Sequence, residues 1–393
     1  MAVIGERVLR RVDRGLVQGR IDATLPDGRA VVLGARAEGP AVIVMLHRWR
    51  ALRRLASGGS AGWYEAWADG DWSSPDPVAL FELFMLNRVA LGGTARARGP
   101  SRWLRRVWHA LRRNDRGGAR RNIEAHYDLG NDFYAEWLDP SLTYSSALFD
   151  QPIAHEQPLE DAQRAKLRAI LDRTGTTPGE TVLEIGCGWG SFAEEAARAG
   201  RRVHAITLST EQQGAVAARM ARQGLGGVTV ALTDYRDITG TYDAVASIEM
   251  VEAVGQAYWP AYLQAIAGAL KSGGRAAIQL IAIDDAIFDA YADGVDFIQR
   301  HVFPGGMLLS ERRFRALAEE AGLIWRDRHG FGLDYAETLK RWRERFETAV
   351  RESRLPHRFD RNFIDLWRYY LMYCEGGFRG GGIDVMQVTL VKA

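Results

Sequence analysis

Cysteine is scarce: only Cys187 and Cys374 occur in 393 residues, and they stand far apart. Two such residues build neither a disulfide framework nor a zinc-ligand spacing. A reducing cytoplasmic compartment is therefore the simpler expectation, and no metal is expected. Long apolar runs are also lacking, since none approaches the roughly 18 residues needed to cross a bilayer. The opening Met1-Ala2-Val3-Ile4-Gly5-Glu6-Arg7 has no apolar core of the signal-peptide kind. Any meeting with a membrane is thus expected from its surface, on the inner face. Neither sign of charge is in excess, the formal net charge being +2, so the distribution of charge matters more than its total. What the chain does have is 47% hydrophobic residues and 12 tryptophans, enough for a large packed core. Its length favours two or more domains.

Three stretches differ in texture. Residues 1–95 read as a small α+β module, with strand-like runs Arg29–Leu33 and Ala41–Leu46 and a helix opening at Pro77. Residues 96–121 carry ten arginines against one aspartate, Asp115, with Trp103, Leu104, Val107, Trp108 and Leu111 at helical spacing. This pattern suits a basic amphipathic helix on an anionic membrane surface, or else a solvated charged linker. Nucleic acid is not an expected partner, because no recognition motif accompanies the charge. Residues 122–393 alternate strands with helices. The expected strands are Thr181–Ile185, Arg202–Ile206, Val228–Leu232, Ala244–Ser247, Arg275–Ile283 and Asp384–Val391. Such alternation specifies a mainly parallel sheet with helices on both faces.

The most informative short motif is Val182-Leu183-Glu184-Ile185-Gly186-Cys187-Gly188-Trp189-Gly190, a buried strand running into a glycine turn. Ligands of open α/β sheets bind beyond the carboxyl ends of the strands, where a glycine turn lets the backbone approach them. Dinucleotide enzymes share such turns. Here the next strand ends Ala205-Ile206-Thr207-Leu208-Ser209, without the acidic residue that usually holds a ribose. The G-x-G-x-G spacing, with Glu184 two residues before the first glycine, resembles the first motif of class I S-adenosylmethionine methyltransferases. Thr207 and Gln212 would then bind the ribose or methionine part, and Asp234-Tyr235-Arg236-Asp237 would flank the adenine.

Ahead of this motif stands Asn122-Ile123-Glu124-Ala125-His126-Tyr127-Asp128-Leu129-Gly130-Asn131-Asp132-Phe133-Tyr134, continuing through Leu138 to Asp150. Together with Phe297–Gly306 and Tyr369–Arg379, it resembles the cyclopropane-fatty-acyl-phospholipid synthase family, which includes the mycolic acid cyclopropane synthases. The resemblance covers 122–393. The N-terminal module and arginine-rich connection match the layout of the bacterial phospholipid enzymes, which favours phospholipid acyl chains at the membrane surface as substrate. A homodimer is left open.

The resemblance implies cofactor contacts from Tyr144, Ser145, Glu184, Gly186, Cys187, Gly188, Gly190, Thr207, Leu208, Gln212, Tyr235 and Arg236. It also implies a catalytic centre in which a bicarbonate ion acts as base. The matching ligand positions are Ser146, Glu252, Gln279, the backbone of Ile281, and Tyr335. Two depart from the family pattern: Ser146 stands for a cysteine and Gln279 for a histidine. Both still hydrogen-bond, so an anion remains compatible with them.

The implied reaction moves a methyl group from S-adenosylmethionine to an acyl double bond. That leaves a carbocation for aromatic faces to tolerate, with Tyr144, Phe149 and Phe303 as candidates. Proton loss then gives a cyclopropane ring, the expected product, with a methyl- or methylene-branched chain, including a furan fatty acid precursor, as the alternative. A non-enzymatic lipid-binding protein is the alternative of another class. From the residues alone, Glu249 and Glu252 follow the fourth strand of this region at the ligand edge, either as solvated loop residues or orienting a base. Gln279, in an apolar strand, needs a partner.

Overall fold

The computed structural model describes residues 2–92, 129–153 and 156–393. The basic stretch 96–121 and the first part of the 122–134 motif lie outside the described residues. The described residues form two compact units.

The first unit gathers residues 2–92 with Ile283–Pro304 and His357–Ile383. It is therefore not the contiguous module of 1–95 that texture suggests. Its sheet has the order β2-β1-β3-β4. The strands are Arg20–Thr24 (β1), Ala30–Gly34 (β2), Ala41–Leu46 (β3) and Trp72–Ser73 (β4). β1 pairs antiparallel with β2 and parallel with β3. The helix Pro77–Leu86 starts where proline at its first position and the Asp76 cap dictate, the Asp76 side chain accepting from the Ala79 amide at 3.1 Å. It packs on the C-terminal helix Arg361–Arg379. Glycine makes that approach possible. A Cβ on Gly376 would lie 2.5 Å from Phe81 Cβ and 2.6 Å from the Val78 carbonyl, and one on Gly380 would lie 2.6 Å from the Glu82 carbonyl.

The second unit joins residues 129–282 to Gly305–Pro356 and Asp384–Ala393. It holds a seven-stranded sheet in the order β10-β11-β9-β8-β5-β6-β7. Its strands are Thr181–Ile185 (β5), Arg202–Thr207 (β6), Val228–Leu232 (β7), Tyr242–Ile248 (β8), Leu270–Ile283 (β9), Leu323–Gly330 (β10) and Ile383–Lys392 (β11). β5, β6, β7, β8 and β9 pair in parallel, and β10 is antiparallel to β11. This is the class I methyltransferase sheet with its covering helices. The apolar faces of the helices Leu159–Thr174, Ser191–Arg198 and Thr210–Gln223 meet β5, β6 and β8 in one core built on Leu167, Ile170, Val182, Phe192, Val203 and Val216.

The helices Leu159–Thr174 and Glu311–Glu320 and the strand β10 go beyond the sequence reading. Among the described residues, no helix is long and apolar enough to cross a membrane.

Candidate active site

Parallel pairing puts the carboxyl ends of β5, β6, β8 and β9 on one edge of the sheet, and the expected site residues at 184–190, 207–212, 252 and 279–281 lie on or just after those strands. β5 leaves the sheet through Gly186, Gly188 and Gly190, at φ 82°, 50° and 83°, a left-handed region open to glycine. The amides of Gly186 and Cys187 donate to the Ile206 carbonyl at 3.0 and 3.2 Å, tying the turn to the end of β6. A Cβ on Gly186 would strike Met250 Cγ at 2.6 Å. One on Gly188 would meet no described atom within 4 Å, so the turn faces open space there. Cys187 offers its backbone only. Its side chain is buried in the core, and burial pushes the thiol well above its ordinary value.

Around this turn the expected cofactor residues gather. Glu184 is 3% exposed and its Oε2 has no hydrogen-bond partner among the described residues. Burial pushes this carboxyl up to about 8, against the pull of Lys166 and Arg219. A buried, unsatisfied carboxyl oxygen is costly and calls for a hydrogen-bond partner from a ligand. Thr207 Oγ1 donates to Gln212 Oε1 at 2.7 Å, and Ser209 caps the helix that carries Gln212. Leu208, half-buried, connects them. Arg236 is paired with Asp234 at 2.6 Å and lies 5.3 Å from the Tyr235 ring centroid. Tyr144 sits within an aromatic group, 5.5 Å from Tyr134, 5.6 Å from Trp137 and 5.4 Å from Trp342. The open glycine turn, the orphaned Glu184 oxygen and the polar pair after β6 fit S-adenosylmethionine.

The catalytic centre differs from its expected form. Ser146, Gln279 and Tyr335 converge, but on Glu249 and not on Glu252. Glu249 Oε1 accepts from the Ser146 amide at 2.9 Å and from Gln279 Nε2 at 2.7 Å. Its Oε2 accepts from the Tyr335 hydroxyl at 2.8 Å. The Ser146 hydroxyl donates elsewhere, to the Ala147 carbonyl at 2.9 Å. Burial pushes the Glu249 carboxyl above its ordinary value, while the Ser146 amide, the charge of Lys166, Gln279 and Tyr335 pull it back. Glu252 is bound differently, its Oε1 accepting from the Ile281 amide at 2.5 Å. Its Oε2 is buried with no partner among the described residues. Burial, then the neighbouring Glu249 charge, raise Glu252 to about 8. The groups expected to ligate bicarbonate are thus already engaged by two carboxylates of the chain, and they do not fit a further anion.

Gln279 is satisfied on its other side. Its Oε1 accepts from Gln387 Nε2 at 3.1 Å, and Gln387 Nε2 also donates to the Lys166 carbonyl at 3.3 Å. Lys166 itself escapes a sequence reading. It is fully buried on the helix Leu159–Thr174, with Nζ 2.6 Å from Ser145 Oγ. Burial lowers its ammonium to about 8 against the pull of Glu249, Asp139 and Glu184. Its only sequence signal is a lysine on the apolar side of a helix, between Gln163 and Leu167. Of the three aromatic candidates for cation stabilisation, Phe149 is covered by Arg341, whose Cζ lies 4.6 Å from the ring centroid. Phe303 belongs to the first unit, leaving Tyr144 in this one.

A buried carboxyl held by three donors, beside a cofactor cradle and a group of aromatic rings, is placed to exchange a proton in a dry site. Comparisons with known proteins point to one family. The family described as mycolic acid cyclopropane synthetase matches residues 114–388. A tuberculostearic acid methyltransferase of Mycobacterium tuberculosis is 39% identical, covering 100% of this chain and 91% of its own. A cyclopropane-fatty-acyl-phospholipid synthase of Escherichia coli is 36% identical over 68% of this chain and 66% of its own. Among solved structures, the mycolic acid cyclopropane synthase CmaA1, complexed with SAH and CTAB, superposes with a TM-score of 0.64 at 28% identity. That match covers 70% of this chain and 98% of that one.

Proposed function

The chain belongs to the mycolic acid cyclopropane synthetase family, as an S-adenosylmethionine-dependent methyltransferase acting on lipids, and from that premise we propose that it methylates a double bond in a phospholipid acyl chain to give a methylene branch. S-adenosylmethionine, when bound, supplies the methyl group and leaves as S-adenosylhomocysteine. Residues Tyr144, Ser145, Glu184, Gly186–Gly190, Thr207, Leu208, Gln212, Tyr235 and Arg236 would hold it. Their work is alignment, because an alkene is a weak nucleophile that reacts only when held in line. The methylated chain carries a cation on the neighbouring carbon. A hydride shift brings the cation to the methylated carbon. Loss of a proton from the new methyl then gives the branch, whereas loss before the shift closes a cyclopropane ring.

The observation that carries the branched product is the convergence of Ser146, Gln279 and Tyr335 on Glu249. The ring-forming enzymes that this chain resembles are expected to keep a bicarbonate at those positions. A proton acceptor anchored differently can take the methyl proton at a different point, after the hydride shift and not before it. The relative matched along the whole chain also carries the name of a methyltransferase and not of a cyclopropane synthase. In this reading residues 1–95, as part of the first unit, and the basic stretch 96–121 bring the enzyme to the membrane surface. The test is mass spectrometry of lipids from cells that express the chain. Methylene-branched and cyclopropane chains share one added CH2, but ozone cleaves the first to a mid-chain ketone and leaves the second intact. An ozone-resistant product would return the assignment to cyclopropane.

A further inference from the structure

We propose that Glu249 is the proton acceptor of this reaction, a carboxylate carried by the chain at the place where the family resemblance implies a bicarbonate ion. The proposal rests on the acyl-chain methylation reading above and deepens it. Three observations carry it.

The first is occupancy. Ser146, Gln279 and Tyr335 come from three separate segments, and each turns a donor to the same carboxylate at 2.7–2.9 Å. No such set of donors is needed to keep a loop in place. It is what an anion requires when removed from water. The second is backbone strain. Glu249 has φ 48°, a left-handed conformation that a glutamate rarely adopts. Such strain persists where the surroundings over-determine it, as at active sites. The Glu249 amide is held there by the Gln279 carbonyl at 2.8 Å, so the same strand residue fixes both its backbone and its carboxylate.

The third is valence. A carboxylate oxygen has two lone-pair sites. Both sites of Oε1 are filled, by the Ser146 amide and Gln279 Nε2, while Oε2 accepts one donor, the Tyr335 hydroxyl. Oε2 is thus the oxygen that takes the proton. In the step, a C–H bond of the new methyl breaks, and its electron pair becomes the π bond to the cationic carbon. The proton bonds to Oε2, and the carboxylate becomes a neutral acid that solvent deprotonates after product leaves. Glu252 is the positioning carboxyl beside it, holding Ile281.

The experiment uses the full chain with phospholipid vesicles bearing unsaturated chains, in carbon-dioxide-free buffer and in buffer with added bicarbonate. The wild type is expected to turn over equally in both, and to show no bound [13C]bicarbonate by NMR. Glu249→Gln is expected to lose roughly two orders of magnitude in turnover, the range of a general base, while calorimetric affinity for S-adenosylmethionine holds. Glu249→Gly relieves the left-handed strain and opens the anion site. It is expected to lose turnover, to bind [13C]bicarbonate, and to regain activity when bicarbonate or formate is added. A wild type that needs or binds bicarbonate, or near-normal methylation by Glu249→Gln, overturns the proposal while leaving the methylation reading intact. A wild type that makes no methylated lipid in either buffer overturns the substrate reading, and the proposal with it.

Discussion

Glu252→Gln is expected to stabilise the protein while leaving more activity than Glu249→Gln does, and the gain has a calculable pH dependence. Burial and the Glu249 charge raise the Glu252 carboxyl from 4.5 to about 8, so the folded chain keeps it neutral at pH 7. The unfolded chain ionises it above its ordinary value. Between those two values the folded state holds one proton more than the unfolded state, so stability falls as pH rises. The slope is about 1.4 kcal/mol per pH unit. From 4.5 to pH 7 the group therefore costs about 3 kcal/mol, and above its folded value just under about 5 kcal/mol. Glutamine is close in shape to the neutral acid. Its Oε1 keeps the Ile281 amide, and its amide nitrogen replaces an oxygen that already lacks a partner among the described residues. The variant thus removes the pH-dependent cost and little else. An unfolding entropy of roughly 2.1 cal/mol/K per residue converts about 3 kcal/mol to about 4 °C for cooperative unfolding of the whole chain. Thermal or urea unfolding of both proteins at pH 5 and pH 7.5 is the assay. The variant should gain little at pH 5 and most at pH 7.5. A gap of equal size at both pH values, or a destabilised variant at pH 7.5, would refute the assignment of Glu252 as a neutral, buried acid.

Gly188→Val should abolish calorimetric binding of S-adenosylmethionine, since its side chain would enter space that no described atom fills and a β-branched residue strains the left-handed backbone there; unchanged affinity would remove the glycine turn from the cofactor site. Gly376→Ala should destabilise by roughly 1–3 kcal/mol through overpacking against Phe81 and the Val78 carbonyl. Gly268→Ala, in a helix with no described atom near its Cβ, should stabilise by about 0.5–1 kcal/mol; urea unfolding reads both signs. Lys166→Met removes a cation that lowers the Glu249 carboxyl. The acid limb of the pH–rate profile should therefore move to higher pH, and a limb that stays in place would separate Lys166 from the centre.

Much of the fold was legible because its strands are short, β-branched and evenly separated by helices. Thr181–Ile185 and Val228–Leu232 match to the residue. The glycine turn was legible because left-handed backbone leaves a direct mark on sequence. The pairing inside the catalytic centre was not. Glu249 and Glu252 are three residues apart and chemically identical, so composition gives them one role. Which of them meets Ser146, Gln279 and Tyr335 depends on a single left-handed residue after β8, in a glutamate that does not announce it. Lys166 was hidden for another reason. The carboxyl groups whose charge acts on it come from distant segments, and a lone lysine on a helix reads as solvated. The boundary of the first unit was missed because helix packing, not texture, assigns Arg361–Arg379 to it.

That assignment has a consequence for synthesis. The helix Pro77–Leu86 is made early, but the surface that receives Gly376 and Gly380 is completed only when Arg361–Arg379 has been translated. At about 5–20 residues per second the ribosome needs on the order of tens of seconds for the intervening chain. Throughout that interval Val78 and Phe81, buried in the finished protein, have no helix to cover them. The N-terminal unit therefore cannot mature in the order of its synthesis. It waits for the end of the chain, and a nascent protein truncated before residue 361 should be a client of chaperones even with five strands of its seven-stranded sheet paired.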